Sequence, residues 1–296
     1  MADTLIVYLH GIGDNIMLSG VLKEYCRQQG GKKVDFIVLN VGCAAIWKNN
    51  PLVESVQVYP GTQPHFWNPA LFYPFHQFTV RRYIRELNAD GRWKKVCFPT
   101  IQTIPELIYH VTGTYGRHKM DRICAEFGLP PVLHPYDLPT TPAETAEAET
   151  VLQKFPGARL AVMHPFSGHV LKRLSPGGVG EIIKTLRARG YTPLVVGSPG
   201  EARQLDPAWE VDSVFGLSLG VLIEILKRTE IFAGTDSAVA HLAAYANTSR
   251  LLIFSPKLEP RRYLPITERS RLVLIRYQQK AEARALAEFQ AALEAP

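Results

Sequence analysis

The chain has 296 residues, which exceeds the usual size of one hydrophobic core and suits two domains of about 150 residues each. Hydrophobic residues make up 46% and charged residues 20%, which excludes a disordered or fibrous protein. The net charge of +6 indicates an anionic partner, without choosing among nucleotide, polysaccharide phosphate, membrane surface and nucleic acid.

The sequence has no stretch typical of a membrane span or a signal peptide. The longest apolar runs, such as residues 4–9 and 251–254, are far shorter than the roughly 20 residues that cross a bilayer. The first nine residues lack a basic segment and a small-residue cleavage site, and they lead directly into a glycine turn. We therefore expect a cytoplasmic protein.

The first half of the chain alternates short apolar runs with a helical pattern. We predict strands at residues 4–9, 34–40, 55–59 and 95–98, and a helix over 15–29. This alternation indicates a parallel sheet with helices on both faces.

Residues 61–95 differ in character, because aromatic side chains there are interleaved with arginines and lysines. The mixture suits sugar stacking together with contacts to phosphate or anionic lipid, with Arg81 and Arg82 as acceptor-binding candidates. Filling of the first domain's core is the alternative.

The second half repeats the strand and helix pattern after prolines clustered over residues 129–142. We predict strands at 159–164, 192–197, 230–234 and 250–254, and helices over 142–155, 175–189 and 217–228. Two α/β domains follow, 1–140 and 141–277, with a linker helix opening the second domain. The tail, 278–296, is predicted to form a helix that packs back on the first domain.

The loop GTDSAVAHLAAYA (234–246) follows a predicted strand and opens a helix. A helix start exposes backbone N–H groups that bind anions, so Gly234, Asp236, Ser237, Ala238 and His241 are candidates for a diphosphate site. The alternative is that Asp236 only caps the helix and His241 packs in the core.

The loop HPFSGHVLKRLSP (164–176) also follows a strand, and it contains Ser167, Gly168, His169, Lys172 and Arg173. Fixed positive charge there could neutralise a departing pyrophosphate, although such a pair of basic residues is often solvated surface. In a third loop, GSPGEARQ (197–204), Glu201 could accept hydrogen bonds from a ribose diol or could simply favour a helix start.

Several well-known site patterns are absent from the sequence. There is no GxxxxGK[ST], GxGxxG, GxSxG or HExxH, and the four cysteines lack CxxC spacing. We therefore expect neither a P-loop NTPase nor a dinucleotide, hydrolase or zinc-protease site. No nucleic-acid-binding signature occurs either, so nucleic acid is not an expected partner.

The turn HGIGDN (10–15) lies between the first strand and the first helix. Its glycines would let the backbone bend close to a substrate. Asp14 could act as a catalytic base, and Asp14 or Asn15 could cap the helix. His10 is the rival base, since histidine titrates near neutrality.

These motifs resemble the heptosyltransferase family of inverting glycosyltransferases, over nearly the whole chain. The best-matching segments are GIGDNIMLSGVLKEYCRQ (11–28), SGHVLKRLSPGGVGEIIKTLRARGYTPLVVGSPGE (167–201) and FAGTDSAVAHLAAYANT (232–248). The resemblance implies a GT-B fold, in which two Rossmann-like, doubly wound α/β domains face a central cleft.

The resemblance also implies roles for individual residues. Asp14 would be the general base, in a turn whose His10, Gly11 and Gly13 we expect to contact the acceptor. The nucleotide-sugar diphosphate would be held by Lys172, Ser167, Gly168 and the helix start at 236–238, with Glu201 near the ribose.

The implied reaction needs no metal ion and no cofactor. It moves a sugar, heptose in the family's best-known members, from an ADP-sugar or another nucleotide-diphosphate sugar to a saccharide or a lipopolysaccharide-type glycolipid. Peripheral contact with the cytoplasmic face of the inner membrane would suit such an acceptor. The alternative is a catalytically degenerate nucleotide-sugar-binding protein of the same fold.

Overall fold

The computed structural model describes residues 2–61, 69–99, 118–167, 172–255 and 264–294, apart from the side chains of 69–76 and 279. The chain divides into two compact units, Met1–His134 and Pro135–Pro296. Among the described residues, no helix is both long and apolar enough to cross a membrane.

The N-terminal unit is built on a four-stranded parallel sheet with the strand order β3-β2-β1-β4. Its strands are β1 (Thr4–Tyr8), β2 (Val34–Val38), β3 (Val53–Val58) and β4 (Lys95–Cys97). Its described helices are α1 (Ile12–Gln28), α2 (Val41–Trp47), α3 (Pro69–Leu87) and α4 (Lys119–Glu126). Because the strand order reverses between β1 and β4, a ligand crevice is expected beyond the carboxyl end of β1.

Part of the aromatic and basic segment 61–95 fills the core of this unit. Val80 and Ile84 of α3, together with Trp93, are buried against Leu5 and Val7 of β1. Phe78, on the same helix, is 59% exposed and does not take part in this core. The described portion of the segment therefore contributes to the core, as the alternative predicted, while its role in acceptor binding stays a prediction. Residues 62–68 lie outside the described ranges.

The C-terminal unit has a six-stranded parallel sheet with the strand order β10-β9-β8-β5-β6-β7. Its strands are β5 (Leu160–His164), β6 (Thr192–Gly197), β7 (Asp212–Phe215), β8 (Ile231–Thr235), β9 (Arg250–Ser255) and β10 (Arg271–Arg276). Its described helices are α5 (Pro142–Leu152), α6 (Pro176–Ala188), α7 (Leu219–Leu226), α8 (Ala238–Tyr245) and α9 (Glu282–Glu294). Here the order reverses between β5 and β8, which places the expected crevice at the carboxyl ends of these two strands.

The C-terminal helix α9 packs on the core of its own unit, which differs from our prediction that the tail returns to the first domain. Phe289 and Ala285 are buried with residues of β9, β10 and α6. At the start of α9, the Glu282 carboxylate accepts hydrogen bonds from Ser175 (2.6 Å) and Tyr277 (3.0 Å). The apolar face of α9 is therefore covered locally, by the sheet that immediately precedes it in the chain.

Candidate functional site

The turn HGIGDN lies beyond the carboxyl end of β1, at the expected crevice of the N-terminal unit. Helix α1 begins at Ile12, with Gly11 as its N-cap residue and no side chain capping it. The N-cap position is therefore held by Gly11, and neither Asp14 nor Asn15 occupies it. Gly11 is extended (φ −66°), and neither Gly11 nor Gly13 has a positive φ, so the turn does not depend on glycine's extra backbone freedom.

Asn15 holds this turn in place rather than capping the helix. Its amide nitrogen donates to the carbonyl oxygens of His10 (3.0 Å) and Gly11 (2.9 Å), and its amide oxygen accepts from Trp47 Nε1 (2.8 Å). Asn15 is fully buried, so these hydrogen bonds replace those lost to water. The backbone that carries His10 and Asp14 is thereby anchored to α2.

Asp14 lies in the first turn of α1 and forms an ion pair with Lys119, the first residue of α4. The Lys119 Nζ to Asp14 Oδ1 distance is 2.6 Å, and the two side chains are 7% and 21% exposed. The ammonium and the helix dipole both stabilise an ionised carboxylate at this position. Sequence reasoning missed Lys119, because 105 residues separate the partners and no local pattern joins them.

His10, the rival candidate for the base, lies in an environment that disfavours its protonated form. Burial of the imidazole and the positive charge of Lys119 lower its pKa to about 4, against an opposing effect of Asp14. A histidine with so low a pKa is neutral at physiological pH. The assignment of the base to Asp14 or to His10 stays a prediction.

The depressed pKa of His10 predicts a specific loss of stability in acid. The unfolded state takes up a proton near pH 6.5 and the folded state only near pH 4, so stability falls as the pH is lowered through that window. The linked loss is at most about 3 kcal/mol. In His10→Gln, urea unfolding measured between pH 7.5 and pH 4 is expected to show a shallower decline than the parent protein. Equal slopes in the two proteins would contradict the assignment.

Arg81 and Arg82, the predicted acceptor-binding residues, are exposed on α3. Arg82 Nε donates to Glu86 Oε1 (2.7 Å), and the Arg81 guanidinium lies 5.7 Å from the Phe98 ring centroid. Both positive charges are accessible to solvent. Their role in acceptor binding stays a prediction.

In the C-terminal unit, Lys172 and Asp236 form an ion pair beside the carboxyl end of β8. Lys172 Nζ lies 2.8 Å from Asp236 Oδ2 and 3.3 Å from the Asp236 carbonyl oxygen. Gly234 is paired with His164 across β8 and β5, and a Cβ at Gly234 would lie 2.6 Å from the His164 carbonyl oxygen. A side chain at position 234 is therefore excluded by the close approach of the two strands.

A second cluster joins Ser237, His164 and Glu201 at the same edge of the sheet. Ser237 Oγ is 3.1 Å from His164 Nδ1, and Glu201 Oε2 is 3.6 Å from His164 Nε2. Burial alone would raise the pKa of Glu201, but hydrogen bonds from His164 and Ser198 lower it to about 2. Glu201 is therefore ionised at neutral pH, as an acceptor for a ribose diol should be.

Four of the predicted donor-site residues thus lie at this edge of the sheet. Lys172 contacts Asp236, whereas Ser237 and Glu201 each contact His164, which was not among the predicted residues. Sequence reasoning overlooked His164, although a titratable residue at the carboxyl end of a strand is itself a signal of a site in this fold class. Ser237 and Ala238 stand at the start of α8, where Ser237 is the N-cap residue but its side chain makes no capping hydrogen bond.

The remaining predicted donor-site residues are placed differently. His241 is buried on α8, with its Nδ1 2.7 Å from the Tyr136 hydroxyl. The Ser167 carbonyl oxygen accepts from Arg173 Nε (2.7 Å), which engages a guanidinium that we considered for pyrophosphate. Gly168 and His169 lie outside the described residues. Within the described ranges, no group of three or more His, Cys, Asp and Glu side chains could hold a metal ion.

Comparisons with known proteins identify the fold. No protein-family model matches the sequence, and no curated protein matches it.

Solved structures match nearly the whole chain. A family 9 glycosyltransferase from Veillonella parvula has a TM-score of 0.71 at 14% identity, covering 99% of this chain and 98% of that one. The ADP-heptose lipopolysaccharide heptosyltransferase II of E. coli has a TM-score of 0.68 at 16% identity, covering 99% of each chain. The E. coli heptosyltransferase WaaC, solved with ADP, has a TM-score of 0.65 at 18% identity, covering 98% of this chain and 99% of that one. The predicted fold class is therefore confirmed: the chain has the two-unit α/β fold of these glycosyltransferases.

Proposed function

We propose that this protein is an inverting glycosyltransferase that moves a sugar from a nucleotide-diphosphate sugar to a saccharide or a lipopolysaccharide-type glycolipid. The observation that carries the proposal is the cluster at the carboxyl ends of β5 and β8. It combines a partly buried cation, Lys172, with a helix start at Ser237 and an ionised carboxylate, Glu201. Those are the groups that a diphosphate and a ribose require.

The donor diphosphate binds at the start of α8, together with Lys172, Ser167 and Gly168. Backbone N–H groups at a helix start carry partial positive charge and attract phosphate. When the sugar leaves, negative charge grows on the diphosphate, and the Lys172 ammonium and these N–H groups stabilise it. Fixed positive charge of this kind can serve in place of a metal ion, so we propose metal-independent transfer.

Asp14 removes the proton from the acceptor hydroxyl as that oxygen attacks the anomeric carbon. Attack from the face opposite the leaving diphosphate inverts the configuration at that carbon. The ionised state that Lys119 and the helix dipole favour is the state a base must have before the reaction.

An ADP-sugar is the favoured donor, with heptose as one candidate for the sugar. Two of the similar structures support this choice, since one is named an ADP-heptose lipopolysaccharide heptosyltransferase and another was solved with ADP. We place acceptor binding at His10, Gly11, Gly13, Arg81 and Arg82. The exposed arginines also suit peripheral contact with the inner membrane, where a glycolipid acceptor would be held.

A nucleotide-sugar-binding protein without transferase activity is the second candidate. The Asp14 to Lys119 ion pair favours it, because an ammonium at 2.6 Å competes with the proton that a base must accept. Binding alone would then be the function of the C-terminal cluster.

A binding panel followed by a transfer assay tests these candidates. Thermal shift and calorimetry with ADP-, GDP-, UDP- and dTDP-sugars should identify one nucleobase whose nucleotide sugars stabilise the protein. Duplex DNA should not stabilise it. Turnover of the tightest-binding nucleotide sugar, measured as release of nucleoside diphosphate with lipopolysaccharide-type acceptors, separates the two candidates. If no nucleotide sugar binds, both are wrong.

Lys172→Met is expected to lower kcat about 100- to 1,000-fold, because it removes a fixed positive charge from the leaving diphosphate. Donor affinity should fall as well, and Lys172→Arg should recover part of both losses. Lys184→Met is the matched control, since the Lys184 side chain is 72% exposed on α6 and its ammonium pairs with Glu181 at 2.8 Å. Equal activity in the Lys172 and Lys184 variants would remove Lys172 from the proposed site.

A further inference from the structure

His164, the last residue of β5, lies between two residues of the proposed donor site. Its imidazole is buried, with only 6% of the residue exposed. Nδ1 faces the Ser237 hydroxyl at 3.1 Å and Nε2 faces the Glu201 carboxylate at 3.6 Å, while the Phe166 ring packs edge-on at 5.8 Å. One ring nitrogen thus faces Ser237, which we assigned to the diphosphate, and the other faces Glu201, which we assigned to the ribose.

The state of Nδ1 decides what the Ser237 hydroxyl can do. A serine hydroxyl has one proton to donate. If Nδ1 carries no proton, it accepts that hydrogen bond and the hydroxyl turns toward the ring. If Nδ1 is protonated, it donates to Oγ and leaves the hydroxyl proton for another acceptor. The Ser237 side chain does not cap α8, so its hydroxyl is not committed to the helix start.

The surrounding charges also affect whether the His164 ring nitrogens carry protons. Glu201, from the loop after β6, faces Nε2 and stabilises a proton there. Asp236 precedes Ser237 and is paired with Lys172 at 2.8 Å, so these two charges largely offset each other beside the cluster. A bound diphosphate would add negative charge at the helix start and would favour the imidazolium further.

We propose that His164 is a positioning residue that couples donor binding to proton uptake. This inference rests on the proposed function. On binding of the diphosphate, His164 takes up one proton from solvent and becomes an imidazolium, which pairs with Glu201 through Nε2 and donates to Ser237 Oγ through Nδ1. The Ser237 hydroxyl then donates its own proton to a diphosphate oxygen. His164 therefore aligns both ends of the donor site without contacting the reacting atoms.

Calorimetry of nucleotide-sugar binding tests this coupling. The probe is the tightest-binding nucleotide sugar of the panel, in which both phosphates are esterified, and the corresponding nucleoside is the control. Titrations between pH 6 and pH 8.5, in two buffers of different ionisation enthalpy, report protons taken up on binding. We expect up to one proton per donor and affinity that weakens by at most tenfold per pH unit. The nucleoside should show neither effect.

Two variants separate this coupling from a merely structural role of His164. In His164→Gln, donor affinity should become independent of pH and proton uptake should vanish. In Ser237→Ala, donor binding should weaken about 10- to 100-fold at pH 6, where a hydrogen bond to a charged group is lost, and much less at pH 8.5.

The outcomes distinguish this inference from the proposed function. Donor binding to the parent protein without proton uptake would overturn the role of His164 and leave the proposed function standing. Proton uptake that persists in a folded His164→Gln protein would overturn it as well. A nucleotide sugar that does not bind at all would instead contradict the proposed function.

Discussion

Asp14→Asn should lower kcat about 100- to 10,000-fold while leaving the affinity for the nucleotide sugar unchanged. Asparagine keeps the shape of the side chain but cannot accept a proton from the acceptor hydroxyl. The proposed donor site lies in the other compact unit, beside β5, β6 and β8, and Asp14 is not part of it. Steady-state transfer assays together with calorimetry of donor binding measure the two effects separately.

A matched control for this change is available on the same helix. Glu24→Gln removes an α1 carboxylate that is bonded to Arg27 (2.7 Å) and Gln28 (2.9 Å). Its kcat should stay close to that of the parent protein. Transfer activity retained in Asp14→Asn, with the donor still bound, would exclude Asp14 as the base.

Lys119→Met tests whether Lys119 controls the protonation of Asp14 or has only a structural role. Without the ammonium, the carboxylate holds a proton more readily, so the acid limb of the kcat profile should move to higher pH. A purely structural role would lower activity without moving that limb. No detectable transfer in either the parent protein or Lys119→Met, with the donor bound, would favour the non-catalytic candidate.

Much of the fold could be predicted from the sequence, because buried strands of a parallel sheet appear as continuous apolar runs. The run at 192–197 coincides with β6, and the strand predicted at 34–40 contains β2. The edge strand β7 was not predicted, since it has only four residues, Asp212–Phe215, and none of them is fully buried. Its position is determined by pairing with β6, which a local pattern does not record.

The parts of the candidate site that lie close together in the sequence could be predicted. A strand, a short loop and a helix start follow one another within residues 231–245, so the placement of Asp236 and Ser237 could be derived from the sequence. Their partners could not, because Lys172 comes from a different loop and His164 from a different strand. Partner choice depends on which strand ends meet at the sheet edge.

The partners of Asp35, in the core of the N-terminal unit, could not be predicted from the sequence either. This carboxylate lies within the buried strand β2. Its side chain is only 2% exposed. Oδ1 accepts from Ser55 Oγ (2.6 Å), while Oδ2 accepts from Trp93 Nε1 (2.7 Å) and from the Arg92 guanidinium (3.1 Å). The donors come from β3 and from the loop before β4, so this group joins three parts of the sheet.

Asp35→Ala should therefore destabilise the protein by about 3–5 kcal/mol, because removing one member of a buried charged network leaves its partners without an acceptor. The buried Trp93 indole N–H bears most of this penalty, whereas Arg92 is 37% exposed and can be rehydrated. Urea unfolding followed by tryptophan fluorescence measures the change. Asp90→Ala is the control, since Asp90 is exposed and accepts only from the Arg92 backbone N–H (3.1 Å) among the hydrogen bonds described, and it should cost less than about 1 kcal/mol. Similar losses in the two variants would mean that the buried network contributes little to stability.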